Sequence, residues 1–460
     1  MNMASPHKNL LQGNKAVDPG MPMNDVLCYA DQGSFMGLRA LGRQPLLIFT
    51  WCYERWLDET TVNKFNDSLA KGQLGRLVQR SPLPWGRHRW VANPVAAPVT
   101  WYPGEIPAGG LEGWRNALVH LPVDPEFGPG WRLAVQPMEG GRSALSLIIS
   151  HTIADAKGGI EAIIEAISGT RRRHGFPVPS WRWSPIRLAR DIAESLRALP
   201  DVARAVVALV RGAGIPASQK SVSFVGTVTP DSSQPLVDVP LAHVMMDLGI
   251  WEKRASELGV TTSSLFMAFA ARIAHRIGRV DSEGRAKLVL PVSYRLPGDR
   301  RGNALSAVMV MANPDLCPGN FSTLRQDFKT ALATLFEQGD GKTELFALIP
   351  YVPLWLVRRL ERLALRTDQP IGCSLLGAFP PEISNPCGPA SLVRFSGIER
   401  CTAEVLEWLG GKLYLISYSV GDQMHITITG YMVDRITTLA AFVPFVREAL
   451  DDLSLEGSVN

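Results

Sequence analysis

One short stretch constrains this 460-residue chain more than any other. Ser143 to Ile149 is an unbroken run of small and apolar residues, and it stops at Ser150-His151-Thr152-Ile153-Ala154-Asp155-Ala156. Lys157-Gly158-Gly159 then opens a helical pattern with Ile160, Ile163, Ile164 and Ile167 on one face. A strand that ends in a reactive side chain and turns into a helix holds one group rigidly at a sheet edge. With a helical turn after His151, the i, i+4 spacing puts His151 and Asp155 on one face. Histidine is the side chain suited to take a proton near neutral pH. An isolated His near an Asp is also a common structural pair, so spacing alone leaves both readings open.

A chain of this length suits two domains rather than one core. Its net charge of +4 is too small to argue for nucleic acid binding. The six cysteines form no C-x-x-C pair, which argues against a zinc ribbon or redox dithiol and for reduced thiols in a cytoplasmic setting. Residues 1–22 read as a polar tail without a secretory signal. No apolar run approaches about 18 residues, so no spanning helix is expected.

Before the motif, Asn24 to Gly42 reads as helix and loop, Pro45 to Cys52 as a strand, and Asp58 as the cap of a helix through Val62, Phe65 and Leu69. Trp85 to Val91 suggests an exposed basic hairpin. Gly130 to Val135 pairs with the motif strand across a Gly140-Gly141 turn. Beyond it, a long amphipathic helix runs from Ile186 to Val210, interrupted at Pro200, with arginines in excess of acids. Such a stretch either lies on an anionic membrane or packs on the body as a linker. In the second half, strands are expected at Val222–Val228, Val244–Leu248, Ala286–Val292 and up to Met311. Helices are expected at 250–258, 261–277 (buried), 321–337, 346–365 (apolar and basic) and 434–450. Three strand-like runs (404–409, 412–417 and 423–431) precede the last helix. His425 and His275 read as structural, and Cys387, without a motif histidine nearby, is no nucleophile.

These residues carry a resemblance. In order, the chain offers H-x-x-x-D (His151, Asp155), P-V-S-x-R (Pro291 to Arg295), Gly302-Asn303 and S-N-x-x-G-P (Ser384 to Pro389). Over about residues 24–450 it resembles the wax ester synthase/diacylglycerol acyltransferase family, within the chloramphenicol acetyltransferase-like and condensation-domain acyltransferases. The resemblance implies an α/β fold of two such subdomains in a V, with the active-site tunnel between them. It divides the chain into a tail (1–22), a first subdomain carrying the motif (23–180), an amphipathic linker (181–220) and a second subdomain (221–460). It implies His151 as the catalytic base, with Asp155 turned away onto an arginine, for which Arg295 is the candidate. Ser150, Gly158, Ser263, Ser264, Asn303, Ser384 and Asn385 are candidate tunnel-lining residues.

It further implies an acyl thioester as co-substrate, acyl-CoA or an acyl carrier protein, and an alcohol or amine acceptor. No metal and no bound cofactor are implied, and nucleic acid is not an expected partner. The expected location is cytoplasmic, with peripheral contact on the inner membrane face through 186–211 or 346–366 as an open alternative. Arg171-Arg172-Arg173 is either part of a carrier-docking face or a solvated helix end. Two departures stand out. Many relatives read H-H-x-x-x-D-G, where this chain has Ser150 and Ala156, and their Asn-Asp pair is Ser263-Ser264 here. Three readings therefore stand: a thioester-dependent O-acyltransferase, a condensation-type enzyme fed by a carrier protein, and an inactive member that binds lipid or a partner.

Overall fold

The computed structural model describes residues 25–169, 175–181, 183–210, 236–315, 318–338, 345–357 and 369–460. The expected tail, the Val222–Val228 strand, Arg171 to Arg173 and the linker beyond Val210 lie outside them. Two sheets organise the molecule. The first has five strands in the order β11-β1-β6-β5-β4: β1 (Gln44–Tyr53), β4 (Thr100–Trp101), β5 (Trp131–Met138), β6 (Arg142–Ser150) and β11 (Leu392–Arg400). The second has seven, β14-β7-β13-β12-β10-β8-β9: β7 (Leu241–Asp247), β8 (Ala286–Ser293), β9 (Leu305–Ala312), β10 (Ile371–Ala378), β12 (Lys412–Val420), β13 (Gln423–Tyr431) and β14 (Ser458–Val459). Strands β2 (Arg76–Gln79) and β3 (Arg89–Ala92) form a separate pair. The architecture is a two-sheet mixed α/β fold.

From Ser143 on, β6 carries only small and apolar residues, all buried, because both faces are covered. One face packs against α2 (Glu59–Lys71) and α4 (Ala156–Ser168); Ile148 and Ala144 on the other meet α3 (Leu111–Ala117). In the second half, α7 (Leu248–Glu257), α8 (Thr262–Ile277), α9 (Pro318–Gln338) and the terminal helix (Leu439–Asp452) cover the sheet. Helix α8 is its apolar centre: from Ser264 on, every position but Arg272, His275 and Arg276 is buried, as its all-round apolar pattern predicts.

Strand β11 comes late in the chain yet pairs with β1 of the first sheet, while Thr427 Oγ1 of β13 donates to the Phe395 carbonyl at 3.0 Å. It therefore ties the two sheets together. Neither β11 nor β10 has a clean alternating pattern, and neither is expected from sequence. Three other expectations are corrected. Ala403–Trp408 is a helix, not a strand, because Val405, Leu406 and Leu409 fall at helical spacing and pack with Val239 and Tyr431. Phe346–Tyr351 is a 3-10 turn, which Pro350 and Pro353 separate from the helical residues 354–357, so the expected helix starts later than 346; Arg358, Arg359 and Arg362 lie outside the described residues. The Trp85–Val91 segment is not an exposed basic hairpin either, since Arg89 is buried between Asp25 and Asp191.

Where the sheets meet, His425 of β13 and His243 of β7 stack with Nδ1 and Nε2 3.2 Å apart, both fully buried, and Tyr418 stacks on His425 at 5.0 Å. Burial, then the charges of Arg394 and Arg115, pushes His425 down to about 4; burial, His425 and Arg115 push His243 well below 6.5. Both folded-state values lie below the unfolded one, so the unfolded chain binds more protons as pH falls. Stability from the neutral pair is complete above pH 6.5 and is lost as pH drops to about 4, with His425 alone accounting for about 3 kcal/mol. Urea unfolding of the wild type and His425→Gln across this window should show a shallower pH dependence in the variant. Parallel curves would mean that the pair is not what titrates.

Candidate active site

The turn after β6 is not helical. His151 to Ile153 form a tight turn, and Asp155 is the N-cap of α4 rather than part of its first turn, accepting the Gly158 N–H at 2.7 Å. His151 and Asp155 therefore do not share a helix face. The Asp155 carboxylate faces Arg295, which donates from Nε to Oδ1 at 3.1 Å and from Nη2 to Oδ2 at 2.8 Å. Both side chains are 1% exposed. The Ala304 N–H adds a fourth donor to the carboxylate at 2.9 Å. Two-point Arg–carboxylate pairing fixes orientation as well as charge. Gly158 is required here: a Cβ would sit 2.9 Å from Arg295 Nη2.

The loop between β8 and β9 completes the clasp. Arg295 Nη2 also donates to the Gly302 carbonyl, and the Asp155 N–H donates to the same oxygen at 2.8 Å. Gly302 approaches so closely that a side chain would collide with the Thr152 carbonyl at 2.7 Å. From the other side, Asp31 of helix α1 (Tyr29–Leu41) accepts the Gly302 N–H at 3.0 Å and the Asn303 N–H at 2.6 Å. Burial raises the Asp31 pKa, against the pull of Arg76 and of these amides. Arg76, buried and lowered to about 9 by desolvation, donates to the Ile153 carbonyl. Asp31 and Arg76 carry no motif in the sequence, since their partners lie up to 272 positions away.

Asn303 sets the histidine. Its Nδ2 donates to Asp31 Oδ1 at 3.2 Å and to the His151 carbonyl at 3.1 Å. Both partners are acceptors, so the amide cannot be flipped without two oxygen–oxygen repulsions. Its Oδ1 therefore faces His151 Nδ1, 2.9 Å away, and that nitrogen must carry the ring proton. Nε2 is left as the basic nitrogen.

His151 lines a cavity of about 340 Å³ between the sheets. Leu46 and Leu47 of β1, Phe395 and Ile398 of β11, and Leu375 and Ile416 of the second sheet make its wall apolar. Ala156, the departure from the glycine of the motif, also faces it. Pro45 stands between His151, whose N–H donates to its carbonyl, and Glu399, its partner on β11. Glu399 is thus two strands, about 10 Å, from His151. Burial pushes its carboxyl up, but Arg43 and Lys412, each 2.5 Å away, outweigh this and hold it at about 2.

The other expected lining residues lie elsewhere. Ser150 ends β6 facing the opposite side from His151 and is fully buried. Ser264 takes part in the Thr261 cap of α8, beside half-buried Ser263. Ser384 and Asn385 sit near the far end of β1, where Trp51 donates to the Ile383 carbonyl, six residues or about 20 Å along the strand from Pro45. The Cys387 thiol is buried and pushed up to about 12, which leaves it inert at neutral pH.

No family model and no curated protein matches the sequence. Solved structures do match it in fold. The first condensation domain of the calcium-dependent antibiotic synthetase, in complex with a substrate analogue, superposes with a TM-score of 0.56 at 13% identity, over 93% of this chain and 95% of that one. The chain has the condensation-domain fold. Two further structures share it: polyketide synthase associated protein 5 from Mycobacterium tuberculosis (TM-score 0.52, 14% identity, 91% and 96% coverage) and the wax ester synthase/diacylglycerol acyltransferase from Marinobacter aquaeolei VT8 (TM-score 0.51, 13% identity, 93% and 98% coverage). At these identities the likeness is one of fold. The alignments take in 95–98% of each of these structures, and in this chain the His151 turn and the β8–β9 loop meet between the two sheets.

Replacing Asp155 with Ala strands a buried guanidinium and two N–H groups, a loss of about 3–5 kcal/mol. Chemical denaturation should show this drop, with Arg295→Lys intermediate because an ammonium cannot bridge both oxygens. Wild-type stability in Asp155→Ala would refute the clasp.

Proposed function

We propose that the protein transfers an acyl group from a thioester to the hydroxyl of an apolar acceptor, with His151 as general base. The observation that carries this reading is the fixed tautomer: Nδ1 is committed to Asn303, so Nε2 is the atom able to take a proton on a cavity wall. In the reaction, Nε2 removes the hydroxyl proton as the acceptor oxygen attacks the thioester carbonyl. The C–S bond of the tetrahedral intermediate then breaks, and the imidazolium returns the proton to the departing thiolate, releasing ester and free thiol. The thioester supplies the activation, so positioning and one base suffice. Asp155 and Arg295 are positioning residues for the turn, and Asn303 is the positioning residue for the ring. The aliphatic wall favours a lipid-like chain over a polar acceptor.

The donor is acyl-CoA on this reading; a carrier-bound acyl group uses the same chemistry, and an amine acceptor would give an amide. The fold likeness does not separate these donors, since the matching structures include a condensation domain of the calcium-dependent antibiotic synthetase and a wax ester synthase/diacylglycerol acyltransferase. Single-turnover assays with acyl-CoAs, acyl carrier proteins and long-chain alcohols should give thiol release and ester in equal amounts. His151→Ala should lose about 10²–10⁴-fold in rate. No product from either donor class, or equal rates in the variant, would overturn the proposal.

Asn303→Ala frees the ring to adopt the wrong tautomer. It should lower kcat with little change in KM and alter the acid limb of the pH–rate profile. A change in KM alone would instead make Asn303 a substrate contact. Ala156→Gly removes a methyl from the cavity wall and should raise turnover of bulkier acyl donors relative to short ones; the ratio of kcat/KM values across a chain-length series reads this directly.

A further inference from the structure

Helix α5 (Pro185–Arg197) is amphipathic in the inverted sense. Its charged side faces the protein: Arg187 donates to the Arg80 carbonyl at 2.7 Å, Asp191 accepts from Ser81 Oγ and Arg89 Nε, and Glu194 pairs with Arg87 at 3.3 Å. Arg187 and Asp191 are buried. The aliphatic side faces outward, with Ile186 76% and Leu196 61% exposed, and α6 (Leu199–Val210) continues the strip to Val210, 81% exposed. A helix that packs through ions and leaves its aliphatic side to water is poorly explained as a linker resting on the body, because the hydrophobic gain lies on the wrong side.

What surrounds the strip points to its partner. Trp181 and Trp183 stand exposed just before α5. The Phe346–Tyr351 turn packs against α6, and exposed Trp355 follows it four residues on. Tryptophan with one apolar and one polar edge is the side chain of the lipid headgroup region. Arg190 and Arg197, one heptad apart on α5, and Arg204 on α6 are each more than half exposed, and their pairs with Asp25, Glu194 and Asp201 are the weak kind found at a solvated surface. Their long stems let the charge reach phosphate level while neighbouring aliphatic groups enter the acyl region. A protein partner would call for a central pocket or anchor, whereas this surface is the outward face of two helices.

We infer that the outward face of α5 and α6, flanked by Trp181, Trp183 and Trp355, is a peripheral docking surface for an anionic lipid bilayer. No helix among the described residues is long and apolar enough to cross a membrane, so the contact is interfacial. The same α1 that carries Asp31 also packs on the Phe346–Tyr351 turn, which places the docking face one helix away from the catalytic clasp. The inference does not rest on acyl transfer, because the test below reads binding alone.

The full-length protein would be sedimented with vesicles of phosphatidylcholine alone and of phosphatidylcholine mixed with phosphatidylglycerol, following tryptophan emission in parallel. Wild type should bind the anionic vesicles, shift its emission to the blue, and release in high salt. The double substitution Ile186→Ser and Leu196→Ser, at exposed sites and with an unchanged thermal melt, should weaken binding by at least about tenfold. Failure to bind either vesicle, or equal binding by wild type and the double variant, would overturn the inference. So would a concentration-dependent dimer in sedimentation that the double variant abolishes, since a second copy would then own the surface.

Discussion

The buried pair between Asp155 and Arg295 is the contact on which the site depends. It joins the turn after β6 of the first sheet to the loop after β8 of the second, across 140 residues of sequence. Neither ion is affordable alone in a site this dry, so the turn and the loop are held as a unit. The same loop then delivers Gly302 to Asp31 and Asn303 to His151. The motif aspartate thus acts at a distance: it stabilises the loop that sets the tautomer of His151.

A second layer of constraint comes from β11. By pairing with β1 while taking a hydrogen bond from β13, it closes one wall of the cavity and carries Glu399 into it. The charged cluster there is satisfied internally, with two cations around one carboxylate, so the cavity is apolar along its middle and cationic at one side. The neutral His243–His425 pair lies along the same seam, where any added charge would face Arg115 and Arg394. Phe49 and Phe395 of the first sheet pack with Ile416 and Tyr418 of the second across this seam, and the buried neutral pair makes the junction sensitive to acid.

Much of this was legible in the residues. The apolar run of β6, the capping aspartate of α2, the buried pattern of α8 and the pairing of Asp155 with Arg295 can all be read from order and periodicity together with the resemblance. Asp31 and Arg76 could not, because an aspartate in a helix and an arginine on a short strand have no local mark of what they will meet. Ser384 and Asn385, in a turn rich in Asn and Pro, lie near the far end of β1 and not among the residues lining the His151 cavity.

By itself, the sequence determined many of the local elements and which side chains have the chemistry: a strand ending at a histidine, an aspartate (Asp58) that caps a helix, and a helix with one aliphatic side. These are set by local periodicity and capping, which act over a few residues. Only the tertiary structure decided that Nδ1 of His151 is occupied, that β11 belongs to the first sheet, and that the aliphatic side of α5 faces outward. Each of these follows from long-range partners competing for one group, and buried polar groups accept only the arrangement that satisfies all of them together.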